Sequence, residues 1–136
     1  MLHSLAAKEF QTEQPICVRP HDSIMDVIAL LVNNKISGVT VVDEDNNVVG
    51  VISELDCLRA TLDGAYQGQI GGAAKDYMTK QVDFADPDSD LIAVAQQMLA
   101  NNRRRLPIMK HGKFMGQFSA RSVLLAVSRY ATRFHK

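Results

Sequence analysis

Apolar residues recur at Ile24, Val27, Ile28, Leu31 and Val32, the i, i+3, i+4, i+7, i+8 spacing that lines one face of a helix. The same spacing returns at Leu91, Val94, Ala95, Met98 and Leu99. Asp22 or Ser23 ahead of the first stripe, and Ser89 or Asp90 ahead of the second, can cap the free amides of a helix start. Asn33-Asn34 and Asn101-Asn102 suit a left-handed exit. Behind each helix the pattern shortens. Residues 39–42 and 106–109 are apolar runs, 43–47 and 110–113 are polar, and 48–52 and 114–118 are apolar again, which predicts two β-hairpins. A second helix is expected to open at Ser53 and at Ser119, and a short extended segment (16–18; Phe84) precedes Pro20 and Pro87. Each half therefore reads β-α-β-β-α.

The two halves are copies. A shift of 67 places lays residues 7–14 on 74–81, with Ala7, Lys8, Thr12 and Gln14 meeting Ala74, Lys75, Thr79 and Gln81. Pro20, Val27 and Asn34 fall on Pro87, Val94 and Asn101. After a one-residue deletion in a turn, Gly50, Ser53 and Leu58 fall on Gly116, Ser119 and Leu124. The expected organisation is repeat 1 over 1–62, a glycine-rich linker over 63–73 and repeat 2 with its C-terminal helix over 74–136. A unit of about 50 residues is too small to bury both faces of its sheet alone, and two copies together are not.

Composition narrows the class. The chain has 136 residues, 46% of them apolar, with 15 basic and 15 acidic side chains, which excludes a disordered polar chain. No apolar run is long enough to span a membrane and no secretory leader is seen, so a soluble cytoplasmic protein is expected. Cys17 and Cys57 form no CxxC pair, and His3, His21, His111 and His135 lack zinc-site spacing. Thus neither a redox centre nor a metal is expected. Gly64, Gly68, Gly71 and Gly72 do not form the GxGxxG phosphate cradle. Met25, Met78, Met98, Met109 and Met115 read as core filler. Arg129, Tyr130, Arg133 and Phe134 read as the end of an amphipathic helix rather than a nucleic-acid contact. The charges are not evenly spread: residues 1–68 are net −6 and residues 69–136 net +6.

The first copy carries Asn-Lys-Ile-Ser-Gly-Val-Thr-Val-Val-Asp (34–43) and Gly-Val-Ile-Ser-Glu-Leu-Asp (50–56). The second carries Arg-Arg-Arg-Leu-Pro-Ile (103–108) and Gly-Gln-Phe-Ser-Ala-Arg-Ser (116–122). In their order, spacing and duplication these words resemble a tandem CBS domain, the cystathionine-β-synthase-type regulatory module, over roughly residues 7–61 and 74–130. The resemblance implies an α+β fold of two repeats about a pseudo-twofold axis, with clefts between them. In this family such clefts often take AMP, ADP, ATP, S-adenosylmethionine or NAD. It implies a sensor rather than an enzyme, with no required cofactor, acting on an unidentified partner protein as a homodimer. The alternative is a ligand-free scaffold for dimerisation and docking.

The resemblance also assigns candidate residues. Ser53 and Asp56 match the family's ribose-binding hydroxyl and acid, although Ser-x-x-Asp at a helix start is also a capping box. Arg104 and Arg105 match basic positions that contact ligand phosphate, a role suited to guanidinium. Arg103 has no such match and is expected to be solvated. Pro107 and Ser119 keep the family pattern in the second copy. Ser122 replaces its acid, while Ser37, Gly38 and Thr40 replace the basic pair and the proline in the first. One site is thus expected to bind nucleotide, using Asp56 with Arg104 and Arg105, and the other to be degenerate. Leu55, Leu58 and Leu62, with Leu124, Val127 and Ala131, are at the helical spacing of a dimer face. The −6/+6 split favours an antiparallel dimer with unlike repeats facing.

Overall fold

The structure, a computed structural model, describes residues 16–134. One compact unit spans Ile16–Val82, and the described part of the other begins at Asp83.

In the first unit β1 (Cys17–Val18) leads to α1 (Ile24–Asn34), then β2 (Gly38–Val42), β3 (Val48–Ser53), α2 (Glu54–Gln67) and a single turn, α3 (Ala74–Tyr77). The sheet order is β1-β2-β3, with β1 parallel to β2 and β2 antiparallel to β3. Ser23 caps α1 by accepting from the Asp26 amide. The left-handed exit falls on Lys35 (φ 54°) rather than on Asn33 or Asn34, because the helix runs one residue beyond the asparagines' expected exit. Ile24, Val27 and Leu31 are buried against Val39, Val41 and Ile52, whereas Val32 is 68% exposed. Eight residues is two turns plus about 80°, so the stripe has rotated off the core by Val32. Each fully buried aliphatic side chain here contributes roughly 1.5–3 kcal/mol.

The expected linker over 63–73 begins inside α2, which continues to Gln67. Gly64 is buried within that helix, where a Cβ would lie 2.6 Å from Ile70 Cγ1 and 2.7 Å from Ile70 Cα. The glycine therefore admits the returning chain instead of breaking the helix. Beyond it, residues 73–79 pack in the first unit although by sequence the second repeat opens at residue 74. Ala73 bridges Ser23, the Ala74 amide donates to the Asp22 carbonyl, and Thr79 exchanges two hydrogen bonds of 2.9 and 2.8 Å with Val51 on β3. Repeat and compact unit thus have different bounds.

In the second unit α4 (Leu91–Ala100), β4 (Arg105–Lys110), β5 (Lys113–Ser119) and α5 (Ala120–Phe134) repeat the order. Asp90 caps α4 through the Ala93 amide, and Asn102 takes the left-handed conformation (φ 51°). The extended segment expected at Phe84 is reduced to one parallel bridge, and Ala85 makes it with Ile108, while Phe84 is 47% exposed. Leu91, Val94, Met98, Leu106, Ile108, Phe118 and Val123 form the core. Both hairpins slip register at the same place, after Val41 and after Ile108, so the bulge was duplicated with the sequence. Met98 is core as expected, but Met25 and Met115 are about half exposed. They sit on the outer side of their elements, which composition alone does not reveal.

Candidate functional site

β3 ends and α2 begins at Ser53, whose extended backbone (φ −112°, ψ 170°) turns its hydroxyl back over the first helical turn. Ser53 Oγ accepts from the Asp56 amide (3.2 Å), and Asp56 Oδ2 accepts from the Ser53 amide (2.8 Å) and the Ser53 hydroxyl (3.0 Å). This reciprocal cap satisfies two amides that a helix start leaves free, and the positive end of the helix favours the carboxylate. Asp56 is only 7% exposed, so its charge needs a partner. Arg59, one turn along, supplies it: Nη2 lies 2.7 Å from Asp56 Oδ1 and also donates to the Tyr77 carbonyl at 3.2 Å. The Tyr77 hydroxyl in turn donates to Asp63, and this bond raises the phenol above its ordinary pKa. Neither Arg59 nor the Tyr77 carbonyl was expected at the site. The i, i+3 spacing of Asp56 and Arg59 was a readable signal for the ion pair, but the return of residue 77 was not.

Next to Asp56, the Cys57 thiol is buried. Burial first, then the charges of Asp56 and Glu54, push its pKa up, which keeps it protonated and unreactive.

The second unit builds the same cap without the charge. Ser122 Oγ accepts from the Ser119 amide (2.9 Å) and donates to the Ser119 carbonyl (2.8 Å), while Ser119 Oγ accepts from the Ser122 amide (3.1 Å). A hydroxyl thus reproduces the backbone half of the carboxylate's work.

Arg105 opens β4 directly opposite Ser119, and the Arg104 carbonyl accepts from the Ala120 amide at the start of α5. Arg105 is partly buried, and burial lowers its pKa. Among the described residues no carboxylate pairs with it. Arg104 is exposed, and Arg103, expected to be solvated, is exposed but ion-paired with Asp83 at 2.9 Å. Pro107 is buried mid-strand, its carbonyl accepting from the Ala85 amide. The first unit holds the corresponding backbone positions with Ser37, whose carbonyl accepts from the Glu54 amide, and Gly38, which faces Ser53. Among the described residues, no group of three or more His, Cys, Asp or Glu side chains could hold a metal ion. No helix among them is long and apolar enough to cross a membrane.

The family model of the CBS domain matches residues 7–63 and 74–129. The crystal structure of the CBS-pair protein CBSX2 from Arabidopsis thaliana is 26% identical with a TM-score of 0.83, covering 95% of this chain and 98% of that one. A structure of CBSX2 in complex with AMP has a TM-score of 0.82 at the same identity, covering 93% and 98%. An uncharacterized 17.7 kDa protein of Acidianus ambivalens is 30% identical over 88% of this chain and 71% of its own length. A larger uncharacterized protein of Methanocaldococcus jannaschii is 29% identical over 80% of this chain, which spans 38% of that protein.

Proposed function

The chain belongs to the CBS-domain family, and from that membership we propose that it senses an adenosine-containing small molecule. CBS-domain pairs are regulatory, non-catalytic modules. The observation that carries the ligand reading is Arg105, a partly buried guanidinium that burial has desolvated and for which the described residues supply no anion. Guanidinium binds phosphate through paired, charge-assisted hydrogen bonds, which makes an anionic ligand group its proposed partner. Ser53 and Asp56 are the proposed partners of the ribose hydroxyls. Arg104 and Arg105, beside Pro107 and Ser119, are the proposed partners of the anionic group. The AMP complex of CBSX2 supports an adenine nucleotide as the class of ligand.

Calorimetry with AMP and adenosine tests this. One AMP per chain is expected. Asp56→Ala should weaken both ligands, and Arg105→Ala should weaken AMP far more than adenosine. Absence of binding, or two equal sites per chain, contradicts the proposal.

A second reading, a self-associating scaffold, is favoured by α2, where Leu55, Leu58 and Leu62 are 73%, 58% and 62% exposed. Such a row on a helix marks an association face. On this reading the chain forms a homodimer, with the net-acidic repeat facing the net-basic one, since charge sets orientation more than affinity. A monomer in sedimentation at tens of micromolar would remove the dimer. Cross-links joining residue 58 to residue 58, with none from 58 to 124, would remove the orientation.

A further inference from the structure

The hydrogen bonds of Asp56 limit how it can receive a ligand, and this inference rests on the ribose role proposed above. A carboxylate offers about four acceptor directions, two on each oxygen. Oδ2 already takes the Ser53 amide and the Ser53 hydroxyl. Among the described residues Oδ1 takes only Arg59 Nη2, leaving one direction open. A ribose presents two hydroxyls on adjacent carbons. The first can use the open direction on Oδ1, and the second finds all the others filled.

For Asp56 itself to take both hydroxyls, one of the present donors has to leave, and they differ in what holds them. The Ser53 amide is fixed by the backbone, and the Ser53 hydroxyl is tied to the Asp56 amide as part of the cap. Arg59 is held only at its tip, and its side chain is 58% exposed while that of Asp56 is 10% exposed. A guanidinium with that much access to water rehydrates at little cost. We propose that Arg59 is an internal competitor for the ligand's vicinal hydroxyls: it neutralises and orients Asp56 in the empty chain and is displaced when a diol binds. Arg59 is a positioning residue that sets how strongly the two-hydroxyl ligand is preferred. Its departure also releases the Tyr77 carbonyl, so the segment that closes the edge of β3 loses a tie when ligand enters.

The test is calorimetric titration of the wild type, Arg59→Gln, Arg59→Ala and Asp56→Ala with AMP and with 2′-deoxy-AMP. Thermal unfolding confirms that each variant is folded, and Arg59→Gln serves if Arg59→Ala is not. Removing the competitor should tighten AMP roughly fivefold, the scale of a partly exposed ion pair, and change 2′-deoxy-AMP less than about twofold. Weaker AMP binding in the Arg59 variants would overturn the proposal and make Arg59 a direct ligand contact. Equal changes for both nucleotides, or none, would overturn it too, because a general charge effect does not distinguish one hydroxyl from two. Wild-type AMP affinity in Asp56→Ala would overturn the ribose reading itself and this inference with it, an outcome distinct from the others.

Discussion

The two units share a skeleton and divide its chemistry. Each carries a hairpin with a bulge at the same step, a serine that starts the following helix, and a strand residue facing that serine. In the first unit the cap is closed by Asp56 with Arg59; in the second, Ser122 closes it and Leu125 stands where Arg59 would be. The strand residue is Gly38 in one and Arg105 in the other. The Gly38 position has also closed around its glycine, since a Cβ there would meet the Ile52 carbonyl at 3.2 Å. The comparison separates two jobs that Ser-x-x-Asp performs at once. The backbone needs only an acceptor at the fourth position, and a hydroxyl suffices. A charge there is not needed to close the cap, which leaves it available for the ligand role proposed above.

Truncating the same core position in both units is the harshest test of the shared skeleton. Ile52 and Phe118 are equivalent and fully buried. Ile52→Ala should cost about 2–5 kcal/mol and Phe118→Ala about 3–5 kcal/mol in denaturant unfolding. A mild loss in one alone would show that the cores are not equivalent. Gly50→Ala comes next, because its Cβ would meet Met78 Sδ at 2.7 Å and the Thr79 carbonyl at 2.9 Å. The methionine can swing away but the paired backbone cannot, so a loss of about 1–3 kcal/mol is expected.

Asp56→Ser converts the first cap into the second. Stability should change by no more than about 1 kcal/mol, the scale of one cap, while nucleotide affinity falls by about 1.5–3 kcal/mol. Destabilisation larger than the affinity loss would mean that the carboxylate serves the fold. The smallest effect concerns Cys57, whose thiol has no counterpart in the second unit, where Val123 is its equivalent. Its pKa is raised on folding, so the folded chain holds the proton more tightly. The stability this gives is complete below the unfolded thiol's pKa of about 8.5 and is lost as pH rises through the higher folded value. Cys57→Ala should flatten that alkaline slope in thermal unfolding, and an unchanged slope would assign it to other groups.

The repeat, both hairpins and the helix starts were legible because each is local: a period, a turn cluster or a capping side chain within a few residues. Ser53 and Asp56 could be found for the same reason. Arg59 was within reach of the same logic, three residues on, but a polar residue on a helix flank gives no sign of which neighbour it meets. The reach of α2 to Gln67 was hidden because Gly64 and Gly68 read alike in sequence. Only the packing of Ile70 distinguishes the glycine buried in the helix from the one that ends it at φ 86°. The return of residues 73–79 to the first unit was not legible at all, since pairing between Thr79 and Val51 joins positions 28 apart with no pattern to link them.

That pairing bears on how such a chain can be divided. The two hydrogen bonds from Thr79 cover the outer edge of β3, and exposed strand edges invite pairing with other molecules. A fragment stopped at residue 73, before the second repeat opens by sequence, would carry Val51 bare, whereas one extended to Val82 keeps its cover. Read as inheritance, the duplication did more than double a module. It placed the opening words of the second copy where they cover the edge of the first, so the first repeat as bounded by sequence is not a finished unit.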